Sequence, residues 1–230
     1  MGLRAVFFDL DDTLSDTTGT RLHRAQRVYQ RLQAELPHLD ADSFIERALD
    51  VDPATGWVLG VEPLIKELGL LETAVGREAL DLWFFKGCFD LLATYPGAQE
   101  VIRALSDEYI LGVITNGREA RQRPKFENLG LHQYFQVFLT SERARSEKPN
   151  PLIFRQALHE ADVGPADAAF VGDRLDIDVA GAKAAGIYAI WLNHEGGSPS
   201  GGGPEPDAAI RDYSELPVVL RSFDKGSSAS

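Results

Sequence analysis

The sequence predicts an α/β protein: a mostly parallel sheet with helices on both faces, plus an inserted helical block near the N-terminus. Three observations carry this. From residue 95 onward, short apolar runs of strand length (residues 109–114, 168–171 and 188–192) alternate with helical text, and a fourth such run stands at residues 5–8. Three of these runs end directly in polar groups, at Asp9, Thr115 and Gly172-Asp173. Open α/β sheets hold their ligands at that end of their strands. Between Asp16 and Ala93, by contrast, the periodic stretches have helical spacing and no strand is evident.

The bulk numbers bound the function. At 230 residues and 44% apolar, the chain buries a real core as one domain or one domain with an insert. A net charge of -12 and a pI near 4.8 argue against nucleic acid or an anionic membrane as the main partner. They leave room for a small anionic substrate, because a bound cation reverses the sign locally. The single cysteine, Cys88, cannot form an internal disulfide, which suits a reducing cytosol. No apolar run reaches membrane-spanning length and the Met1 end has no signal-peptide core. The expectation is a cytoplasmic protein, monomeric or homodimeric.

Taken in order, residues 5–8 are a buried parallel strand running into Asp9, Leu10, Asp11, Asp12 and Thr13. Side chains alternate along an extended chain, so Asp9 and Asp11 share a side and Asp12 has the opposite parity. Carboxylates in one small space repel unless a cation joins them or one takes a proton. Residues 21–36 read as an amphipathic helix carrying Leu22, Ala25, Val28, Tyr29, Leu32 and Leu36, stopped by Pro37. Helical text continues over 43–49, 60–68 and 74–92. Trp57, Trp83, Phe84, Phe85 and Phe89 fit the core of this block better than an apolar substrate pocket, and Cys88 fits a buried, inert position.

A helix over 98–106 then leads into the strand 109–114 and Thr115-Asn116-Gly117. The helix from about Arg118 to Leu129 contains Pro124, which removes one backbone bond and predicts a kink or a late start. A strand at 135–139, a helix at 151–161 with proline in its first turn, and the strand 168–171 follow. A helix over 177–185, closed by Gly186, precedes the strand 188–192. Residues 196–206, rich in glycine, serine and proline, read as a flexible loop. A short strand at 208–210 and a terminal helix follow, and 224–230 reads as a disordered tail.

Polar groups thus gather where strand ends meet: Asp9, Asp11 and Thr13, Thr115 and Asn116, Lys148, and Asp173 with Asp176 and Asp178. A carboxylate cluster with one lysine and one hydroxyl suits a phosphoryl group held beside Mg²⁺, which takes oxygen ligands. An aspartate can serve as nucleophile through an acyl-phosphate, while lysine and oriented donors neutralise the transferring group. Asp12 and Asp16 fit turn or helix-cap acids equally well. No histidine has metal-ligand spacing.

These segments together resemble the haloacid dehalogenase-like (HAD) hydrolases. The family's D-x-D-x-T strand end stands as Asp9-Leu10-Asp11-Asp12-Thr13, and its Thr-ended strand as Val113-Ile114-Thr115-Asn116-Gly117. Its lysine stands in Glu147-Lys148-Pro149, and its Gly-Asp motif as Gly172-Asp173-Arg174-Leu175-Asp176-Ile177-Asp178. The order and completeness of the four motifs make the resemblance specific. It implies a Rossmann-like core over 1–15 and 94–223 and a C1-type helical cap over 16–93, with hinges near 15–18 and 93–95. Asp9 would then be the nucleophile and Asp11 the general acid–base. Mg²⁺ would be held by the Asp9 carboxylate, the Asp11 carbonyl and Asp173. Thr115 and Lys148 would bind phosphate, with Leu10, Asn116 and Gly117 also contacting the substrate. Asp178 matches the second acid of the last motif better than Asp176, either one supporting the metal site from behind.

The implied activity is a Mg²⁺-dependent phosphatase acting on a small phosphorylated metabolite, with a nucleoside monophosphate or sugar phosphate as the leaning. A metal-independent 2-haloacid dehalogenase is the alternative, but those relatives lack an acid at the place of Asp11. A non-enzymatic receiver-like phospho-switch also combines acids, threonine and lysine. Its phospho-accepting aspartate follows the third strand, whereas Asp9 follows the first.

Overall fold

The structure, a computed structural model, describes residues 2–50, 60–84, 92–194, 196 and 203–226. The chain forms two compact units, one of residues 17–93 and one of residues 1–16 with 94–230.

The regular elements described in the unit 17–93 are all helices: α1 (Thr17–Leu32) with a 3-10 turn (Gln33–Glu35), α2 (Ala41–Leu49), α3 (Glu62–Glu67) and α4 (Ala74–Phe84). Asp40 starts α2 by accepting the Ser43 amide at 2.9 Å, a helix cap that also holds its carboxyl below the usual range. Ala25, Val28 and Leu32 of α1 pack with Phe44, Ile65, Ala79 and Trp83. Helix α1 starts earlier than its apolar periodicity predicts, and its buried stripe runs through Thr17, Thr20, Arg24 and Val28. Leu22 lies off that stripe and is exposed. Arg24 takes the inner place, donating to the Trp83 carbonyl at 3.1 Å with its guanidinium over the Trp83 ring. Trp83 is therefore core and Phe84 is exposed. Trp57, Phe85, Cys88 and Phe89 lie outside the described residues.

The other unit is built on six parallel strands: β1 (Ala5–Phe8), β2 (Ile110–Thr115), β3 (Val137–Thr140), β4 (Ala168–Gly172), β5 (Tyr188–Leu192) and β6 (Ala208–Ile210), in the order β3-β2-β1-β4-β5-β6. Its helices are α5 (Ala98–Leu105), α6 (Glu119–Asn128), α7 (Ser141–Ala144), α8 (Pro151–Glu160), α9 (Ala180–Ala185) and α10 (Leu216–Gly226). Strand β1 is central because all four of its residues are apolar and fully buried. Ala5 and Phe7 share a core with Ile153, Phe154 and Ala157 of α8 and Ala182 of α9. Phe8 meets Phe135 edge-on at 6.0 Å. From β1 the chain builds outward to β2 and β3, then returns to place β4 on the other side of β1. The strand order thus reverses between β1 and β4, the place where open α/β sheets hold their ligands at the strands' carboxyl ends.

Three elements differ from expectation. Helix α6 runs through Pro124 from a start at Glu119, so of the predicted kink or late start the late start does not occur. A π-turn (Leu175–Val179) precedes α9 where regular helix was predicted: the amides of Asp178 and Val179 both donate to the Arg174 carbonyl, at 2.8 and 3.1 Å. Helix α10 continues to Gly226, past the predicted start of a disordered tail. Residues 227–230 and most of 196–206 lie outside the described residues.

Candidate active site

The ladder continues one residue past β1, because the Asp9 amide donates to the Val171 carbonyl at 2.9 Å. The chain then curls back. Ser15 donates to the Leu10 carbonyl from its amide (2.9 Å) and its hydroxyl (3.0 Å), and the Asp12 amide donates to the Ser15 carbonyl at 2.8 Å. Asp12 reaches this turn with a φ of 56°, a left-handed conformation that aspartate tolerates better than most residues. Tyr213, fully buried and far downstream, donates its hydroxyl to the Thr13 carbonyl at 3.0 Å. Burial pushes that phenol well above the usual tyrosine range, so it stays a donor.

Around this turn the strand ends deliver a buried ionic cluster. The Lys148 ammonium lies 2.7 Å from Asp9 Oδ1 and 2.7 Å from Asp178 Oδ1. Asp178 Oδ2 accepts the Arg174 amide at 3.1 Å, so both of its oxygens are engaged. Asp173 Oδ1 accepts the Thr13 hydroxyl at 3.2 Å, and the Asp173 carbonyl accepts the Trp191 indole at 2.8 Å. Gly172 makes room for this: a Cβ there would sit 2.5 Å from the Asp178 side chain. Asp176, by contrast, is exposed and paired with Arg174 at 2.8 Å. The π-turn is what aims Asp178 inward and leaves Asp176 outside.

Electrostatics follow from this packing. Burial pushes the Asp9 carboxyl up to about 7 against the pull of Lys148. Burial and the neighbouring carboxylates Asp178 and Asp9 push Asp173 up to about 8. For Lys148, Asp178 and Asp9 together outweigh burial and hold the ammonium above its usual range, so it remains a cation. Asp9, Asp173 and Asp178 each bring a carboxylate oxygen within 4.8 Å of the others. Three hard-oxygen carboxylates facing one lysine fit a small divalent cation such as Mg²⁺, which would restore the charge balance that burial disturbs.

Asp11 leads elsewhere. Its carboxylate is gripped by Lys125 on one oxygen and by Gln122 Nε2, at 2.8 Å, on the other. The same Gln122 amide nitrogen lies 2.9 Å from Thr115 Oγ1 and 2.9 Å from the Asn116 carbonyl, so its two hydrogens are shared among three acceptors. Asn116 closes a two-bond clamp on the Lys148 backbone, accepting its amide at 2.8 Å and donating to its carbonyl at 3.0 Å. The Gly117 amide donates to Ser141 Oγ at 3.0 Å. The Asn116 side chain and the Gly117 amide hold neighbouring loops together, and the Leu10 carbonyl closes the turn after β1.

Sequence reasoning did not single out Lys125, or assign Gln122 and Thr13 these contacts. The available signal lay in α6, a strongly polar helix whose buried residues are Gln122, Lys125 and Phe126. Lys125 and Phe126 recur three and four residues after Gln122, the spacing of one helix face.

Fold and site define a doubly wound α/β enzyme with a buried carboxylate–lysine centre at its switch point. The chain belongs to the haloacid dehalogenase-like hydrolases, whose family model matches residues 3–186. It is 31% identical to the N-acylneuraminate-9-phosphatase of Homo sapiens over 97% of each chain. It is 33% identical to the glyceraldehyde 3-phosphate phosphatase of Methanothermobacter thermautotrophicus, over 84% of this chain and 87% of that one. Among solved structures, the 2-haloacid dehalogenase of Pseudomonas syringae superposes with a TM-score of 0.64 at 31% identity, over 96% of this chain and 99% of that one.

Proposed function

We propose that this hydrolase is a Mg²⁺-dependent phosphatase of small phosphorylated metabolites, working through an aspartyl-phosphate on Asp9. The observation that carries the reading is the buried Lys148 ammonium, 2.7 Å from Asp9, beside the Asp9–Asp173–Asp178 carboxylates. An acidic pocket of this kind suits an anionic substrate only when cations are shared with it. Asp9, Asp173 and the Asp11 carbonyl would hold Mg²⁺, which when bound supplies positive charge to the phosphoryl oxygens. Asp178, with both oxygens already engaged, supports Lys148 and the Asp173 loop.

In the first step an Asp9 carboxylate oxygen bonds to phosphorus as the bond to the leaving oxygen breaks, and Asp11 gives that oxygen a proton. In the second, water attacks the same phosphorus and Asp11 takes its proton. The phosphorus–Asp9 bond breaks and inorganic phosphate leaves. Lys148 and the Thr115 hydroxyl bind phosphoryl oxygens that gain charge between the two states. The helical unit 17–93, inserted between the first two motifs, is the proposed cap that selects the leaving group. The phosphatase names of two relatives favour a phosphorylated sugar or related hydroxylated metabolite.

The dehalogenase name of the third relative keeps one competitor in play. Asp11, gripped by Lys125 and Gln122, argues for chemistry that needs a proton carrier. Asp9→Asn should abolish hydrolysis of p-nitrophenyl phosphate in the presence of Mg²⁺. Full activity of that variant would overturn the assignment, as would halide release from 2-chloropropionate by a metal-free enzyme that leaves phosphate esters intact.

A further inference from the structure

We propose that Lys125 and Gln122 are positioning residues that hold the Asp11 carboxylate in its working orientation and couple it to Thr115. This rests on the reading of Asp11 as the proton carrier. Lys125 and Gln122 stand three residues apart on α6, on the face that packs inward. They hold one carboxylate oxygen each, so rotation of Asp11 about its last torsion breaks both bonds. A buried ammonium is costly without a partner, and for Lys125 that partner is Asp11.

Gln122 carries a second mark of purpose. Its Nε2 serves Asp11, Thr115 Oγ1 and the Asn116 carbonyl, while its Oε1 is buried without a partner. An unsatisfied buried carbonyl costs about 1–3 kcal/mol, which a position chosen for packing alone would avoid with an apolar residue. The backbone is shaped around the same amide. Gly117 has a φ of 134°, and a Cβ there would come within 3.1–3.3 Å of Gln122. One amide therefore ties the carboxylate beyond β1 to the hydroxyl ending β2.

The test compares Lys125→Met, Lys125→Arg, Gln122→Leu and Asp11→Asn, alone and with Lys125→Met added to Asp11→Asn, using purified full-length protein with Mg²⁺. Lys125→Met should lower kcat on an alkyl phosphate by about a hundredfold with KM held within about twofold, because a misplaced proton carrier costs the transition state and not binding. Lys125→Arg should recover most of that loss. On p-nitrophenyl phosphate, whose leaving group needs no proton, single-turnover formation of the acid-stable phosphoenzyme should stay close to wild type. Its breakdown, which needs Asp11 as base, should slow, so phosphoenzyme accumulates. In the Asp11→Asn background, adding Lys125→Met should cost no more than about twofold.

Equal losses of phosphoenzyme formation on aryl and alkyl substrates, or full additivity with Asp11→Asn, would overturn the proposal while leaving the reading of Asp11 standing. An Asp11→Asn enzyme as active as wild type on the alkyl phosphate would overturn that reading and the proposal with it. Gln122→Leu keeps the test decisive if Lys125→Met fails to fold. It should reproduce the same aryl–alkyl split, and uniform loss on both substrates would count against the coupling.

Discussion

Replacing Lys148 with methionine isolates the charge that holds the centre together. Lys148 is 3% exposed, and its ammonium lies 2.7 Å from each of Asp9 and Asp178, with the Phe170 ring 5.3 Å away. Methionine keeps most of the aliphatic stem, so the packing loss is small and the change is mainly electrostatic. Asp9, Asp173 and Asp178 then face one another without that cation. Removing one partner of a buried ion pair costs about 3–5 kcal/mol because the remaining charge stays desolvated. Two carboxylates lose the same partner here, so about 4 kcal/mol is expected at pH 8.5 without divalent ions.

The pH dependence has a definite sign. Asp9 and Asp173 have folded values raised from 3.8 to about 7 and about 8, so the folded chain holds protons more tightly than the unfolded one. Their contribution is complete below 3.8 and is lost as pH rises through those folded values. Lys148 is raised above 10.5, so its contribution is undiminished across this window. The Lys148→Met gap should therefore be smaller at pH 5.5, about 1–2 kcal/mol, where the carboxyls take protons instead. Urea unfolding followed by circular dichroism in EDTA, at pH 5.5 and 8.5, reads both values. Superimposable curves for the two proteins at pH 8.5 would refute the reasoning, and so would a gap that widens toward acid.

Asp178→Asn should cost about 2–4 kcal/mol in the same unfolding assay, whereas Asp176→Asn, in an exposed pair, should stay within about 0.5 kcal/mol. Gly172→Ala drives a Cβ to 2.5 Å from Asp178 and should destabilise the protein by about 1–3 kcal/mol while lowering phosphatase turnover. If Asp9 and Asp173 hold Mg²⁺ as proposed, the ion displaces their protons, and its affinity, measured by isothermal titration calorimetry, should rise between pH 6 and pH 8.5 and level off above. A flat affinity across that range would exclude those two carboxylates as ligands.

Much of this was legible in the residues. Uniformly apolar runs of strand length ending in polar groups marked β1, β2, β4 and the polar strand ends at Asp9, Thr115 and Asp173, because a strand buried on both faces leaves no alternative pattern. Where local geometry departs from regular spacing, the sequence said less. Helix α1 buries Arg24 and exposes Leu22, since its stripe is set by what Trp83 presents from an element some sixty residues on. The π-turn at Leu175–Val179 carries no composition signal of its own. The motif spacing already favoured Asp178 over Asp176, and the turn places Asp178 on Lys148 and Asp176 in an exposed pair with Arg174.

By itself, the order of the motifs determined which acids and which lysine meet, because a parallel sheet brings every strand's carboxyl end to one edge. Partners arriving through helix packing were decided only in three dimensions. Lys125 and Gln122 reach Asp11 across more than a hundred residues, and Tyr213 reaches Thr13 across 200. A strand-end motif advertises its chemistry in adjacent letters. A buried polar side chain on a helix acquires meaning only from the group placed opposite, and that placement is settled by the cost of leaving its charge or hydrogen bonds unmet.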